Sequence, residues 1–291
     1  MVQYIEAKSI LSKLNTSDSL FGMTYSMNLY RGCQHGCVYC DTRSECYGIR
    51  NIAEITVKKN AIELLNKELS SKKIKGTVGT GSMNDPYMPV EKEIGITRKA
   101  LEIINQKKFP VHVITKGELV TRDYDILQNI SKTYAAVSFT VTCADDDLSQ
   151  SLEPHAPKTS DRLKAMEFLA QKGIYTGVTL MPLLPYINDT TDNIEQILLK
   201  AKDAGASYII PMFGTTLRKG SREYFYEALD RKFPGVKEKY QTNYGNEYIC
   251  TSPHYRELDY CCKSLAQKLG LRIGMQFYEP PKDTQLSLFP A

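Results

Sequence analysis

The chain has 291 residues, of which 42% are hydrophobic and 24% are charged, and its formal net charge is +4. These proportions are typical of a globular protein, and no apolar run is long enough to span a membrane. Residues 1–14 mix charged residues among the apolar ones, unlike the core of a signal peptide. We therefore expect a cytoplasmic globular protein with no membrane partner, whose eight cysteines are not an exported disulfide framework.

Strand-like and helix-like patterns alternate through most of the chain. The first strand is predicted at 24–29 and leads directly into a cysteine-rich loop. Further strands are predicted at 76–80, 111–115, 135–142, 175–181 and 208–212, with helices at 57–69, 97–107, 121–130, 160–172 and 191–204. Such alternation indicates βαβ units and a parallel sheet, so these units predict an α/β fold with a partial (βα)6 barrel.

The regular alternation ends after residue 212. The remaining pattern predicts a loop, a helix, an aromatic and basic segment, a second helix and a short strand, at 214–220, 222–229, 233–245, 252–269 and 272–277. We therefore divide the chain into three parts. These are a partial barrel, an extension that closes the barrel and a flexible tail, at 1–215, 216–279 and 280–291.

Three thiols lie within eight residues of the cysteine-rich loop, at Cys33, Cys37 and Cys40. Thiolates bind a [4Fe–4S] cluster with one cysteine per iron, and a complete structural site uses four. Three close-set cysteines would leave one iron open to a small molecule. The alternative is a structural zinc site, which needs four ligands and could recruit Cys46 or His35.

This Cys-x3-Cys-x2-Cys loop resembles the hallmark of the radical S-adenosylmethionine (SAM) superfamily. The resemblance implies a [4Fe–4S] cluster whose open iron binds SAM, and an electron from a reductant such as flavodoxin or ferredoxin that releases a 5′-deoxyadenosyl radical. Shorter motifs at the ends of predicted strands, in 80–87, 115–117 and 138–143, resemble those of the spore photoproduct lyase-like branch.

The resemblance to that branch implies roles for individual residues. Lys116 and Ser138 match positions that bind the methionine moiety of SAM, and an ammonium and a hydroxyl suit a carboxylate. Tyr39 matches a tyrosine with a part in hydrogen transfer. Further candidates for cofactor binding or loop structure are Ser82, Asp85, Glu153 and Arg162.

The chain departs from the lyase pattern where the lyase has its hydrogen-donating cysteine. Ser82 takes that place, and its O–H bond is too strong to donate a hydrogen atom. Asp41 follows Cys40, so the second tyrosine of the lyase relay has no counterpart. Cys143 could supply a thiol instead, although a free cysteine is commonly a small buried hydrophobe. A second metal site is conceivable, without a strong ligand spacing, from Cys250, Cys261, Cys262 and His254.

The last seven residues contain the sequence Gln285-Leu286-Ser287-Leu288-Phe289. It resembles the pentapeptide with which bacterial DNA polymerases and repair proteins bind the DNA sliding clamp. Leu288 and Phe289 would enter an apolar pocket, with Leu286 beside them and Gln285 forming hydrogen bonds. The alternative is a tail that folds back on its own barrel.

Together these patterns predict a bacterial radical SAM enzyme that repairs or modifies DNA bases and is tethered to the sliding clamp. One alternative is the same chemistry on RNA, a peptide or a small molecule. Another is a non-catalytic iron–sulfur redox sensor or adaptor.

Overall fold

In the described part of the chain, the strands form one large sheet and two small ones. The computed structural model describes residues 2–14 and 20–280, so the predicted clamp motif lies outside the described residues. The strands are β1 Gln3–Ile5, β2 Leu11–Lys13, β3 Tyr25–Met27, β4 Tyr30–Arg31, β5 Thr56–Lys58, β6 Val78–Thr80, β7 Val111–Thr115, β8 Ala135–Thr140, β9 Tyr175–Leu180, β10 Tyr208–Pro211, β11 Gly214–Thr216, β12 Ile249–Thr251 and β13 Arg272–Ile273.

Helices follow most of the strands of the large sheet. They are α1 Ala61–Ser71, α2 Glu91–Ile94, α3 Ile96–Gln106, α4 Tyr124–Ile130, α5 Asp146–Leu152, α6 Thr159–Gln171, α7 Thr191–Asp203, α8 Ser221–Lys232, α9 Val236–Tyr244 and α10 Tyr255–Leu269. Short 3-10 helices span Asp41–Arg43, Glu45–Tyr47 and Glu118–Asp123. In the described part of the chain, no helix has both the length and the apolar character needed to cross a membrane.

The large sheet has the strand order β13-β10-β9-β8-β7-β6-β3-β2. The six neighbouring strands from β3 to β10 in this order run parallel, which confirms the predicted parallel sheet. β13 extends it in parallel beside β10, and β2 pairs antiparallel with β3 at the other edge. The carboxyl ends of the six strands therefore lie at one edge of the sheet, where ligands bind in folds of this kind.

The two faces of this sheet are covered differently. Val113, Val137 and Phe139 belong to the main apolar core, together with helix residues such as Leu101. Alternate residues of a strand point to opposite faces. Ser138 lies between Val137 and Phe139 in β8 and therefore points to the opposite face of the sheet, where its hydroxyl lies 2.7 Å from that of Tyr208.

The segment after β10 is more ordered than the sequence indicates. Residues 233–245 contain a helix, α9, whose Tyr240 ring lies 5.2 Å from that of Phe225 in α8. The antiparallel pairing of β11 with β12, across α8 and α9, is also absent from the sequence prediction. In the N-terminal half, residues 56–58 form a strand, so the first helix begins at Ala61 rather than at 57.

Candidate active site

The three cysteines of the loop line one cavity of about 300 Å³. The loop turns at Gly36, which has a φ of +69°, a conformation that side chains rarely adopt. A Cβ at this position would also lie 2.9 Å from the ring of His155. The backbone N–H of His155 donates to the carbonyl of His35 over 3.1 Å. The loop is thereby fixed against the segment that follows α5.

The donor set fits an iron–sulfur cluster better than a single ion. Within residues 2–14 and 20–280, no three His, Cys, Asp or Glu side chains are arranged around a single metal ion, whereas a cluster takes each cysteine on a different iron. Burial, with the nearby Asp85 carboxylate, raises the pKa of the Cys33 thiol to about 11. Burial also raises the pKa of Cys37, against the opposing charge of Lys116. Cluster binding must therefore displace protons from these thiols.

The carboxylate of Asp85 joins the loop to the ends of two strands. It accepts hydrogen bonds from the Thr115 hydroxyl over 2.6 Å, from the backbone N–H of Lys116 over 2.6 Å and from that of Tyr87 over 2.9 Å. His35 Nε2 lies 3.1 Å from it. Burial alone would raise the pKa of Asp85, but His35 and these donors lower it. Asp85 lines the cavity and is held there as an anion.

Lys116 also lines the cavity, at the carboxyl end of β7. Its side chain is 15% exposed, and its Nζ lies 3.9 Å from Glu153 Oε1 and 5.7 Å from the centre of the Tyr39 ring. Burial alone would lower the pKa of Lys116, but the Cys37 sulfur, when it is ionised, and the Glu153 carboxylate raise it. The ammonium thus stays protonated beside the cysteine loop, as a site for a ligand carboxylate requires.

Glu153 and Arg162 lie behind the cavity wall. They form a fully buried ion pair, and the Tyr39 hydroxyl donates to the same carboxylate. Arg162 also donates to the carbonyls of Thr140 and Pro157, each over 2.8 Å. Burial alone would raise the pKa of Glu153, but Arg162 and Lys116 lower it. Neither Glu153 nor Arg162 lines the cavity, and Glu153 contacts both the Tyr39 hydroxyl and the Lys116 ammonium. The predicted part of Glu153 and Arg162 in cofactor binding or loop structure stays a prediction.

Tyr39 contributes to the cavity wall, but its hydroxyl is bonded to Glu153. Burial, together with the charge of Glu153, raises the pKa of Tyr39 well above its usual range. A hydrogen-atom donor must present its O–H to the substrate, and this O–H is directed at a carboxylate. The part of Tyr39 in hydrogen transfer stays a prediction.

The two predicted serines occupy different places. Ser82 lines the cavity, with its Oγ 3.1 Å from that of Ser26. The structure does not bring Ser138 to the cavity. Its hydroxyl is fully buried within 2.7 Å of both His112 Nε2 and the Tyr208 hydroxyl. Thr140, two residues further along the same strand face, lines the cavity instead.

Cys143 is likewise kept from the cavity. Its thiol is fully buried, 3.5 Å from the amide nitrogen of Asn188 and 3.7 Å from the Thr142 hydroxyl. Burial raises the pKa of Cys143 to about 12. The thiol is thus a neutral core group behind the loop, and the structure gives no support to its proposed part in catalysis.

The other cysteines do not gather into a second metal site in the described ranges. Cys250 and Cys262 are buried in different apolar clusters. Cys261 lies 3.8 Å from a carboxylate oxygen of Glu195, and His254 pairs with a neighbouring glutamate.

Several cavity residues were not predicted. They come from the turn after the cysteines, from the ends of β9 and β10 and from β11, namely Asp41, Thr42, Met181, Met212, Thr215 and Thr216. Since the cavity lies at the carboxyl ends of the strands, the strand-end rule could have found Met181 and Met212. The residues of β11 carried no such signal.

With this geometry in place, comparison with known proteins decides the family. A model of the radical SAM superfamily matches residues 27–201. The chain belongs to the radical SAM superfamily. Enzymes of this superfamily use a [4Fe–4S] cluster and SAM, which together supply a 5′-deoxyadenosyl radical on reduction. This radical SAM enzyme would hold the cluster with Cys33, Cys37 and Cys40, and Lys116 lines the same cavity. The part of Lys116 in binding the methionine moiety of SAM stays a prediction.

The chain is also similar to three known proteins. An uncharacterized protein of Methanocaldococcus jannaschii is 30% identical over 217 residues, which cover 73% of this chain and 78% of that protein. A radical SAM Nalpha-GlyT isomerase of Pseudomonas phage M6 is 25% identical over 181 residues, or 62% of this chain and 37% of the isomerase.

The third is a solved structure of a mutant spore photoproduct lyase with bound AdoMet and dinucleoside spore photoproduct. It superposes with a TM-score of 0.71 at 14% identity and covers 94% of this chain and 80% of the lyase. This likeness shows a shared fold. Because the chain is a radical SAM enzyme, the alternative of a non-catalytic sensor is not retained.

Proposed function

We propose that this radical SAM enzyme acts on DNA, where it removes a hydrogen atom from a base or its sugar in the course of repair or modification. The observation that carries the proposal is the cavity in which three cysteines, Asp85 and Lys116 meet at the strand ends. It lies in a fold shared with an enzyme whose structure contains a dinucleoside. A flavodoxin or ferredoxin in the cytoplasm would supply the electron.

The residues around the cavity favour modification over repair. A repaired base needs a hydrogen atom returned, and a thiol is the usual donor because its S–H bond is weak. The only cysteines that line the cavity in the described chain are the three loop cysteines. Cys143 is buried behind the wall, and Ser82 offers only a strong O–H bond. We therefore favour a modification in which 5′-deoxyadenosine keeps the hydrogen atom, and the substrate radical would lose one electron to an oxidant such as the oxidised cluster and a proton to solvent, so that no hydrogen donor is needed.

The tail supports a DNA substrate independently of the radical chemistry. Residues 285–289 lie outside the described structure, and the proposal for them rests on their sequence. Burial of a leucine or a phenylalanine in a partner pocket is worth about 1.5–3 kcal/mol each. The cost of ordering the tail offsets part of this gain, so we expect an affinity for the bacterial sliding clamp on the order of micromolar.

The decisive experiment is anaerobic incubation of the reconstituted, reduced enzyme with labelled SAM and DNA, followed by nucleoside analysis. We expect 5′-deoxyadenosine together with an altered deoxynucleoside. The assignment to DNA is refuted if label transfer or an altered product is found only when matched RNA, a peptide or a small molecule replaces the DNA.

Clamp tethering needs its own measurement. Calorimetry should show that the intact chain binds purified clamp and that a variant lacking residues 284–291 does not, while both cleave SAM equally. Equal binding by both proteins would exclude the tail as the docking segment.

A further inference from the structure

A second groove, of about 460 Å³, lies beside the active-site cavity. Its lining combines two arginines, Arg43 and Arg50, with the ring of Tyr224. Ile49 and Ile52 add apolar surface. The groove joins the segment after the cysteine loop to the start of α8, because the backbone N–H of residue 45 donates over 3.0 Å to the carbonyl of residue 219.

The charge of the groove is positive. Its carboxylate, that of Glu45, lies 3.0 Å from the ammonium of Lys219 and is thereby neutralised. Within residues 2–14 and 20–280, no carboxylate forms an ion pair with Arg43 or Arg50. Two guanidinium groups without anionic partners facing one groove are suited to a phosphate, which arginine binds through two parallel hydrogen bonds.

The groove also contains a stacking surface. The guanidinium carbon of Arg43 lies 3.7 Å from the centre of the half-buried Tyr224 ring. Arg43 Nε donates to the carbonyl of Cys37 over 3.3 Å, so this guanidinium is held in place. Tyrosine rings and guanidinium planes are surfaces on which unpaired bases stack, with little dependence on base identity.

The groove and the cavity are lined by adjacent residues of the chain. Thr42 lines the cavity and Arg43 lines the groove, and both belong to the 3-10 helix Asp41–Arg43. An enzyme that reaches an atom of a base must take that base out of the duplex stack. A strand with one nucleotide in the cavity would therefore bring its neighbour to the groove.

We propose that this groove binds the nucleotide next to the reactive one on an unpaired DNA strand. Arg50 and Arg43 contact the phosphate, and the base stacks against Tyr224 or the guanidinium that covers it. The inference rests on the proposed action on DNA and adds the form of the DNA and the residues that hold it.

The test measures fluorescence anisotropy of labelled oligothymidylate with the full-length, cluster-loaded enzyme over a range of salt concentrations. Arg50→Gln should lower the slope of log affinity against log salt by about 0.7, the value for one phosphate contact on a single strand. Tyr224→Leu should weaken binding by about fivefold or more, and Tyr224→Phe should restore it. The matched control is Arg272→Gln, because Arg272 is exposed at the start of β13, next to the amino end of β10. Arg43 is left intact because it touches the cysteine loop.

Iron content and SAM cleavage without DNA should be unchanged in these variants, which shows that they fold. If the enzyme binds DNA but both groove variants bind as tightly as the control with the same salt slope, the groove assignment is overturned while the proposed function stands. If the unaltered enzyme binds no DNA, the proposed function itself fails. Tighter binding to matched duplex than to single strand overturns the unpaired-strand assignment, and tighter binding to matched RNA overturns the choice of DNA.

Discussion

Replacement of Lys116 by methionine is the sharpest test of how this enzyme holds its cofactor. The ammonium lines the cavity, and Asp85 anchors its backbone over 2.6 Å. Methionine keeps most of the side-chain length and removes the charge. The Glu153 carboxylate behind it keeps Arg162 and the Tyr39 hydroxyl as partners, so the wall should remain intact.

The expected rise in the dissociation constant for SAM follows from the hydrogen bond that Lys116→Met removes. A hydrogen bond to a charged group contributes about 1.5–3 kcal/mol net. Each 1.4 kcal/mol is a factor of ten in affinity, so the dissociation constant for SAM should rise about 10- to 150-fold. Burial favours the upper part of this range, because the ammonium is only 15% exposed.

The assay is anaerobic equilibrium binding of labelled SAM to the cluster-loaded protein, with iron and sulfide content measured in parallel. The matched control is Lys99→Met, because Lys99 is exposed on α3. Ser138→Ala should change the affinity for SAM less than Lys116→Met, since its hydroxyl contacts His112 and Tyr208 rather than the cavity. An unchanged dissociation constant in Lys116→Met, with iron content intact, would remove Lys116 from the site.

Replacement of any one of the three loop cysteines with alanine should abolish 5′-deoxyadenosine formation and lower iron content, whereas Cys46→Ala should leave both largely intact; full activity in a loop variant would contradict the cluster assignment. Cys143→Ala should not change turnover or product identity by chromatography, because the thiol is buried outside the cavity wall, and a lost or altered product would restore it as a hydrogen donor. Burial lowers the pKa of His112 from 6.5 to about 4, so its contribution to stability is present above pH 6.5 and lost as the pH falls towards 4. Denaturant midpoints of His112→Gln should therefore fall less over that window than those of the unaltered protein, and parallel profiles would refute this account.

The sequence is most informative where one physical pattern dominates. Strand β7 has the predicted bounds, 111–115, and α7 differs from its prediction by one residue, because a buried apolar run and a helical repeat determine each of them. The glycines after α6 and α7 have φ values of +75° and +80°, as the predicted helix ends require. Short strands were missed, since three residues such as Thr56–Lys58 carry no period and depend on pairing with a distant strand. The division into barrel, extension and tail stays a prediction.

In the active site, too, the sequence predicts single residues well only where a local pattern determines their place. The cysteine spacing identifies the cluster loop because adjacent ligands are encoded within eight residues. Asp85 and Lys116 could be found because they lie where strands end. For other residues, the position along the strand decides whether the side chain reaches the cavity. Ser138 and Thr140 share a strand face, but only Thr140 is near enough to the end of β8 to line the cavity.

Contacts between residues far apart in the sequence determine which reactive side chains are open to the cavity, and no local sequence pattern predicts these contacts. Cys143 follows a strand end as Lys116 does, yet Asn188, 45 residues away, holds its thiol in the core. Tyr39 lies inside the loop motif, but its hydroxyl is bonded to Glu153, 114 residues further along the chain. The type of residue indicates the chemistry it can perform, and its burial and partners decide whether it can reach a substrate. The chemistry at this cavity therefore depends on the few groups, Lys116 and the loop cysteines foremost, that are both reactive and open to it.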